Sequence, residues 1–156
     1  PYNPSMSFYI FVNSDSYDFN EKRVRSPVLS SYRLEKKIYP LYFRTRFKKK
    51  LRSNDSFIFY LAGTPVSETK KFVGYGKIKE IISDKNYTED SIHLSQPIEK
   101  IVILKSVVTN KSASIYEIKD KLSFITKKKK WGPSMQGGVL QITENDYDLI
   151  VKEMNK

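Results

Sequence analysis

Few residue types in this chain are equipped for bond-making chemistry. It has no cysteine, which excludes a thiolate nucleophile, disulfides and thiolate metal sites, and a single histidine, His93, which excludes a histidine-rich metal site. No nucleophile-elbow pattern accompanies His93, so it reads as a surface or structural residue ahead of a triad member. Gly74-Tyr75-Gly76 lacks the third glycine of a dinucleotide fingerprint, and no phosphate-binding loop pattern occurs. Those glycines suit a strand bend or close packing. Glu89-Asp90 and Asp146-Asp148 have the groups for acid–base work or cation binding, but a loop or a helix start is sufficient to explain both. The residues support no enzyme class, no cofactor and no metal site.

Charge carries the stronger signal. The chain has 28 Lys and Arg against 17 Asp and Glu, a formal net charge of +11. Between Lys22 and Arg52 stand 12 basic residues and one acid, Glu35, so this segment holds the whole excess. A merely solubilising surface mixes both signs; a block of one sign points to a polyanion, with nucleic acid as the leading partner. An anionic membrane would attract the same block, yet no long amphipathic helix with a clean apolar face accompanies it. No apolar run approaches a bilayer span, and Pro1 to Ser7 lack the regions of a signal peptide, so the expected setting is the cytoplasm.

These residues need elements to position them, and 156 residues suit a single domain over 1–156. Continuous apolar runs at Phe8–Val12 and Phe57–Leu61, each closed by turn residues, read as buried strands. Phe72–Ile82 reads as the hairpin partner of the second, Ile98–Val108 as a further strand and Gly138–Ile142 as a short late one. A capping box at Ser114–Glu117 opens a short helix through Leu122. Thr143–Asp146 opens a terminal helix whose Tyr147, Ile150, Val151 and Met154 form one apolar stripe. Asp18 to Lys50, punctuated by Pro27 and Pro40, suits either short helices or long loops.

Two stretches combine cations with aromatic faces. Tyr32, Tyr39, Tyr42, Phe43 and Phe47 lie among Arg33, Lys36, Lys37, Arg44, Arg46, Lys48, Lys49, Lys50 and Arg52. Lys127, Lys128, Lys129 and Lys130 lead into Trp131-Gly132-Pro133, with Gly137-Gly138 after it. Cations hold phosphates while aromatic faces stack on an exposed base. Trp131, the one tryptophan, fits either a core plug or such a stacking surface, and its basic prefix and glycine-rich suffix favour a site.

The stretch from Tyr39-Pro-Leu-Tyr-Phe-Arg-Thr-Arg through Leu51–Gly63 and Phe72-Val-Gly-Tyr-Gly-Lys-Ile78 resembles the middle of an EVE domain. Leu122–Trp131, Gly137-Gly138 and Thr143–Tyr147 resemble that family's closing pattern of Trp loop, strand and terminal helix, and Phe8–Asn13 its first strand. EVE domains are similar to PUA, ASCH and YTH domains. The resemblance implies an α+β, PUA-like fold with a curved mixed sheet or open barrel of about five to six strands and short flanking helices. It also implies a pocket for a flipped, modified base. Asn13 and Ser14 would then end the first strand at the pocket rim, Tyr39 would stand where the family often has Trp, and Trp131 would sit on the late loop. Asn54 replaces the glycine of the usual Gly-Asp turn, a position where Asn also adopts the left-handed conformation.

The expected function is base flipping and capture without catalysis. Asn13, Ser14, Tyr39, Tyr42 and Trp131 are the candidate base contacts; Arg44, Arg46, Lys48, Lys49, Lys50, Arg52 and Lys127 to Lys130 are the candidate phosphate contacts. DNA is favoured over RNA, and the resemblance implies the targeting module of a modification-dependent restriction system, with a fused or associated nuclease or NTPase. A reader of modified RNA, a protein-interaction module with a basic face, and a weak carboxylate-dependent activity are the other readings.

Overall fold

The computed structural model describes residues 6–83, 98–135 and 137–156. Its elements run β1 (Phe8–Asn13), β2 (Ser16–Tyr17), β3 (Arg23–Val24), α1 (Ser26–Lys36), β4 (Ile38–Tyr42), β5 (Ser56–Leu61), β6 (Lys71–Ile82), β7 (Ile98–Val108), β8 (Ala113–Ser114), α2 (Ile115–Ile118), β9 (Val139–Ile142) and α3 (Glu144–Met154). The main sheet has the order β4-β7-β6-β5-β1-β9, with β8 added beside the start of β6, and β2 and β3 form a small separate ribbon. β1 is parallel to β5 and antiparallel to β9, so the sheet is mixed. Among the described residues no helix is long and apolar enough to cross a membrane.

Alternation along the strands produces two cores, one on each face of the sheet. Tyr9 and Phe11 of β1 join Phe57 and Phe59 of β5, Ile78 and Val102 on one face. Ile10 and Val12 join Ile58, Tyr60 and Phe72 on the other, beneath Ile115, Ile118, Ile150 and Met154. The first face is the inside of a curl. Tyr39 comes from the edge strand β4, four strands from β1, yet its ring stacks on Phe11 at 4.5 Å and 13°. Phe57 continues the column at 5.5 Å and 8° from Phe11. Contacts of this kind add about 0.5–1.5 kcal/mol per pair beyond burial, so the column holds the curl closed. The result is the α+β, PUA-like architecture that the resemblance implies: a half-barrel of six main strands with three short helices.

The open question at Asp18–Lys50 resolves into α1 and β4. Pro27 stands in the first turn of α1, where its missing N–H costs nothing. Asp15 Oδ1 accepts from Ser26 N at 2.8 Å, supplying the cap that Arg25 lacks. Ser26, Leu29, Ser30, Arg33 and Leu34 are the buried residues of the helix, at i, i+3, i+4, i+7 and i+8. Lys37 ends it at φ 58°, and β4 follows at once.

The expected helix at 114–122 is one α-turn, capped by Ser114 Oγ accepting from Tyr116 N, followed by a 3-10 turn at Lys119–Lys121. Thr143 Oγ1 accepts from Asp146 N and starts α3 where the sequence indicates. The Asp146 carboxylate is buried and accepts from Ser123 N at 3.0 Å and Ser123 Oγ at 2.6 Å, a structural task. His93 and Glu89-Asp90 lie outside the described residues.

Candidate nucleic-acid interface

The seam of the half-barrel, where β4 meets the end of β1 and the start of β9, holds a depression of about 140 Å³. Ser14, Arg33, Tyr39, Tyr42, Thr45 and the Gly138 backbone are among its walls. The sequence builds it from the bottom. Asn13, the last residue of β1, is fully buried and is hydrogen-bonded on both sides of its amide. Its Nδ2 donates to the carbonyls of Phe11 at 3.2 Å and Tyr60 at 3.5 Å, which turns Oδ1 toward α1. Arg33 Nη1 donates to that Oδ1 at 3.0 Å and Nη2 donates to the Tyr42 hydroxyl at 3.2 Å. The guanidinium lies 5.6 Å from the centre of the Tyr39 ring. Tyr39 Oη reaches the carbonyls of Val12 at 2.5 Å and Gly138 at 3.0 Å, tying β4 to the opposite edge of the curl.

Local backbone then sets the rim. Tyr42 N donates to Thr45 Oγ1 at 2.9 Å and Thr45 N to the Tyr42 carbonyl at 3.1 Å, a tight turn that keeps both residues in the wall. Arg44 and Arg46 flank Thr45 and point outward, both exposed. Phe43, beside them, is 78% exposed. Lys49, Lys50 and Arg52 are exposed along the same segment, whereas Lys48 is half-buried and ion-paired with Glu99 Oε2 at 2.5 Å. That hydrogen bond from Lys48 holds the Glu99 carboxyl below the usual glutamate range. One stretch, residues 42–52, thus supplies Tyr42 and Thr45 to a small polar depression and carries a run of exposed cations.

Asn13, Ser14, Tyr39 and Tyr42 are brought together at this seam. Asn13 lies under the floor instead of on the rim, because β1 runs one residue further than its apolar run. Tyr39 is 4% exposed, with Phe11 stacked on its ring. Trp131 is elsewhere. It packs on the opposite face of the sheet and lines a second depression of about 240 Å³ with Tyr60, Ala62, Lys70, Gly132, Pro133 and Met135. Lys127, Lys129 and Lys130 are exposed beside it. Lys128 is half-buried, and its Nζ donates to the carbonyls of Leu122 at 2.7 Å and Lys119 at 3.2 Å.

Arg33, Thr45 and Asp15 line the seam depression without having been singled out from the sequence. Arg33 had a signal: it is the one cation at a buried position of the helical pattern 26, 29, 30, 33, 34. Asp15 Oδ1 caps α1 and its other oxygen pairs with Arg23, so its placement serves the fold as well.

No protein-family model matches the chain. A curated relative, the UPF0310 protein in the gntR 5′ region of Bacillus licheniformis, is 28% identical over 109 residues, which is 69% of this chain and 71% of that protein. Among solved structures, the N-terminal domain of Staphylothermus marinus McrB superposes with a TM-score of 0.57 at 12% identity, covering 94% of both chains. Protein Atu2648 from Agrobacterium tumefaciens gives a TM-score of 0.49 at 11% identity over 94% of this chain and 92% of its own. At 12% identity the McrB likeness is one of fold.

Proposed function

We propose that this chain, an EVE-type domain of PUA-like fold, is the DNA-binding module of a restriction system and captures a modified base flipped from the duplex into the seam depression. The observation that carries the reading is the coincidence, within residues 42–52, of two wall residues of a small hydrogen-bonding recess, Tyr42 and Thr45, and a run of exposed cations. Phosphates would meet Arg44, Arg46, Lys49, Lys50 and Arg52, which give affinity without sequence information. Inside, the half-buried Tyr42 ring is the stacking surface, and Arg33, Ser14 and Thr45 address the base edge. Tyr39 and Asn13 fix the floor on which Arg33 rests. A volume of about 140 Å³ excludes anything much larger than one small ring system, being below the ~300 Å³ at which drug-sized pockets begin.

Phe43 completes the mechanism. A base leaves a gap in the stack, and an exposed apolar ring between Tyr42 and Arg44 is placed to fill it. Nothing in this reading requires bond cleavage; an associated nuclease or NTPase would act on the captured site. The McrB N-terminal domain supports the restriction context by sharing the fold.

The test is a fluorescence-anisotropy titration with matched duplexes carrying plain cytosine or adenine, their methylated forms, and hydroxymethylcytosine, alongside single-stranded RNAs of the same sequences. One modified duplex is expected to bind well above its plain partner, with Tyr42→Ala removing the preference. Equal binding of all ligands at moderate salt overturns base reading. A preference for modified RNA moves the same recess to a different nucleic acid.

A further inference from the structure

Two side-chain polar atoms among the described residues are buried without a hydrogen-bond partner, the hydroxyls of Ser30 and Tyr60. Such groups are rare because each forfeits about 1–3 kcal/mol of solvation, so each asks for an explanation. Tyr60 is 1% exposed and forms part of the wall of the Trp131 depression. Around it the chain assembles groups that contact one another. Trp131 stands edge-on to Tyr116 at 5.5 Å and 86°, and Lys70 Nζ lies 5.9 Å from the indole centre. Lys70 itself takes φ 60°, a left-handed conformation that Lys seldom adopts.

The geometry points to a second binding site here, for a nucleotide, on the sheet face opposite the seam depression. A planar base would lie against Trp131, a heteroatom on its edge would engage the Tyr60 hydroxyl, and the phosphate would meet Lys70. The chemistry selects this class. Lys70 in the lining disfavours a cationic guest of the kind aromatic cages usually hold. The depression, at about 240 Å³, has room for one base. A phenol both donates and accepts, so it matches the mixed edges of all four bases. That hydroxyl is buried, so reaching it requires a side chain around the recess to move. The site does not depend on the seam depression, since the two recesses lie on opposite faces of one sheet.

Trp131 is the one tryptophan in the chain, so intrinsic indole fluorescence reports on this recess alone. The experiment titrates the protein with dAMP, with dCMP and with a short oligothymidylate, for the parent chain and for Tyr60→Phe, Lys70→Gln and Tyr42→Ala. A saturable change with the mononucleotides assigns a free-nucleotide site; a change with the oligonucleotide alone assigns a strand-borne nucleotide. In either case Tyr60→Phe binds about tenfold more weakly. Because the hydroxyl has no partner among the described residues, this variant melts at the same temperature as the parent or higher, which separates loss of binding from loss of fold. Lys70→Gln weakens binding and flattens its salt dependence, and Tyr42→Ala leaves the signal unchanged. No saturable change with any ligand, or parent-like binding by Tyr60→Phe, overturns the proposal.

Discussion

Arg33 concentrates what the residue scale explains. The residue is 4% exposed, and the chain carries it on the buried face of a helix with Asn13, Tyr42 and the Tyr39 ring around its guanidinium. Lysine cannot reproduce a two-pronged fork to an amide oxygen and a phenol. Arg33→Lys is therefore expected to lower the free energy of unfolding by about 1.5–3 kcal/mol, read from a urea titration, and to abolish any preference between modified and plain duplex. A variant that keeps both stability and discrimination would remove Arg33 from the recess. Glu99 belongs to the same scale. It occupies Lys48, so Glu99→Gln should raise DNA affinity and steepen the salt slope by about 0.9, one further cation becoming available to phosphate. The pH dependence has a definite sign. With its folded pKa depressed, Glu99 adds stability above the ordinary glutamate range and loses it as pH falls through the lowered folded value. A carboxyl NMR titration should find Glu99 still ionised where exposed glutamates are half protonated.

At the scale of elements, the long central strands and β9 were readable while α1 and the edge strand β4 were not, for reasons the packing supplies. β1, β5, β6 and β7 are buried on one or both faces, so their apolar runs and alternations survive in the sequence. α1 buries two serines and an arginine among its five inward residues, which erases the apolar stripe that marks a helix. Pro40 argues against a strand, but β4 is an edge strand, where a missing donor is tolerated. Asn54 adopts φ 74°, the left-handed turn its side chain allows. The recess was half legible for the same reason: Tyr39 and Tyr42 stand in an aromatic run, whereas Arg33 arrives from a helix with no visible face. Gly74 and Gly76 of β6 offer a test of how these elements meet. An added Cβ at Gly74 would stand 2.9 Å from a Leu34 methyl, and one at Gly76 would stand 2.9 Å from the carbonyl oxygens of Lys105 and Ser106. A side-chain end can move where a backbone carbonyl of β7 cannot. Gly74→Ala should cost about 1–3 kcal/mol and Gly76→Ala more, both measured by thermal unfolding. The reverse order would show that α1, not the β6–β7 pairing, sets the limit.

Across the whole molecule, the basic excess lies in one segment of the sequence, and the fold spreads that segment over β3, α1, β4 and the turns after it. What reaches solvent after β4 is the set Arg44, Arg46, Lys49, Lys50 and Arg52, with a separate exposed set, Lys127, Lys129 and Lys130, in the segment before Trp131. If duplex DNA follows the seam, about five phosphates are engaged, and the logarithm of the binding constant falls against that of salt with a slope of about −4.5. Raising salt from ~50 to ~200 mM then weakens binding about 500-fold, far more than screening of a hydrophobic protein contact would give. Replacing Arg44, Arg46 and Lys49 together with Gln should cut the slope to about −1.8, while replacing Lys127, Lys129 and Lys130 should leave it near its starting value. Equal losses from the two triple variants would mean that the strand wraps both faces of the sheet, so that the duplex path would join the seam recess to the Trp131 recess.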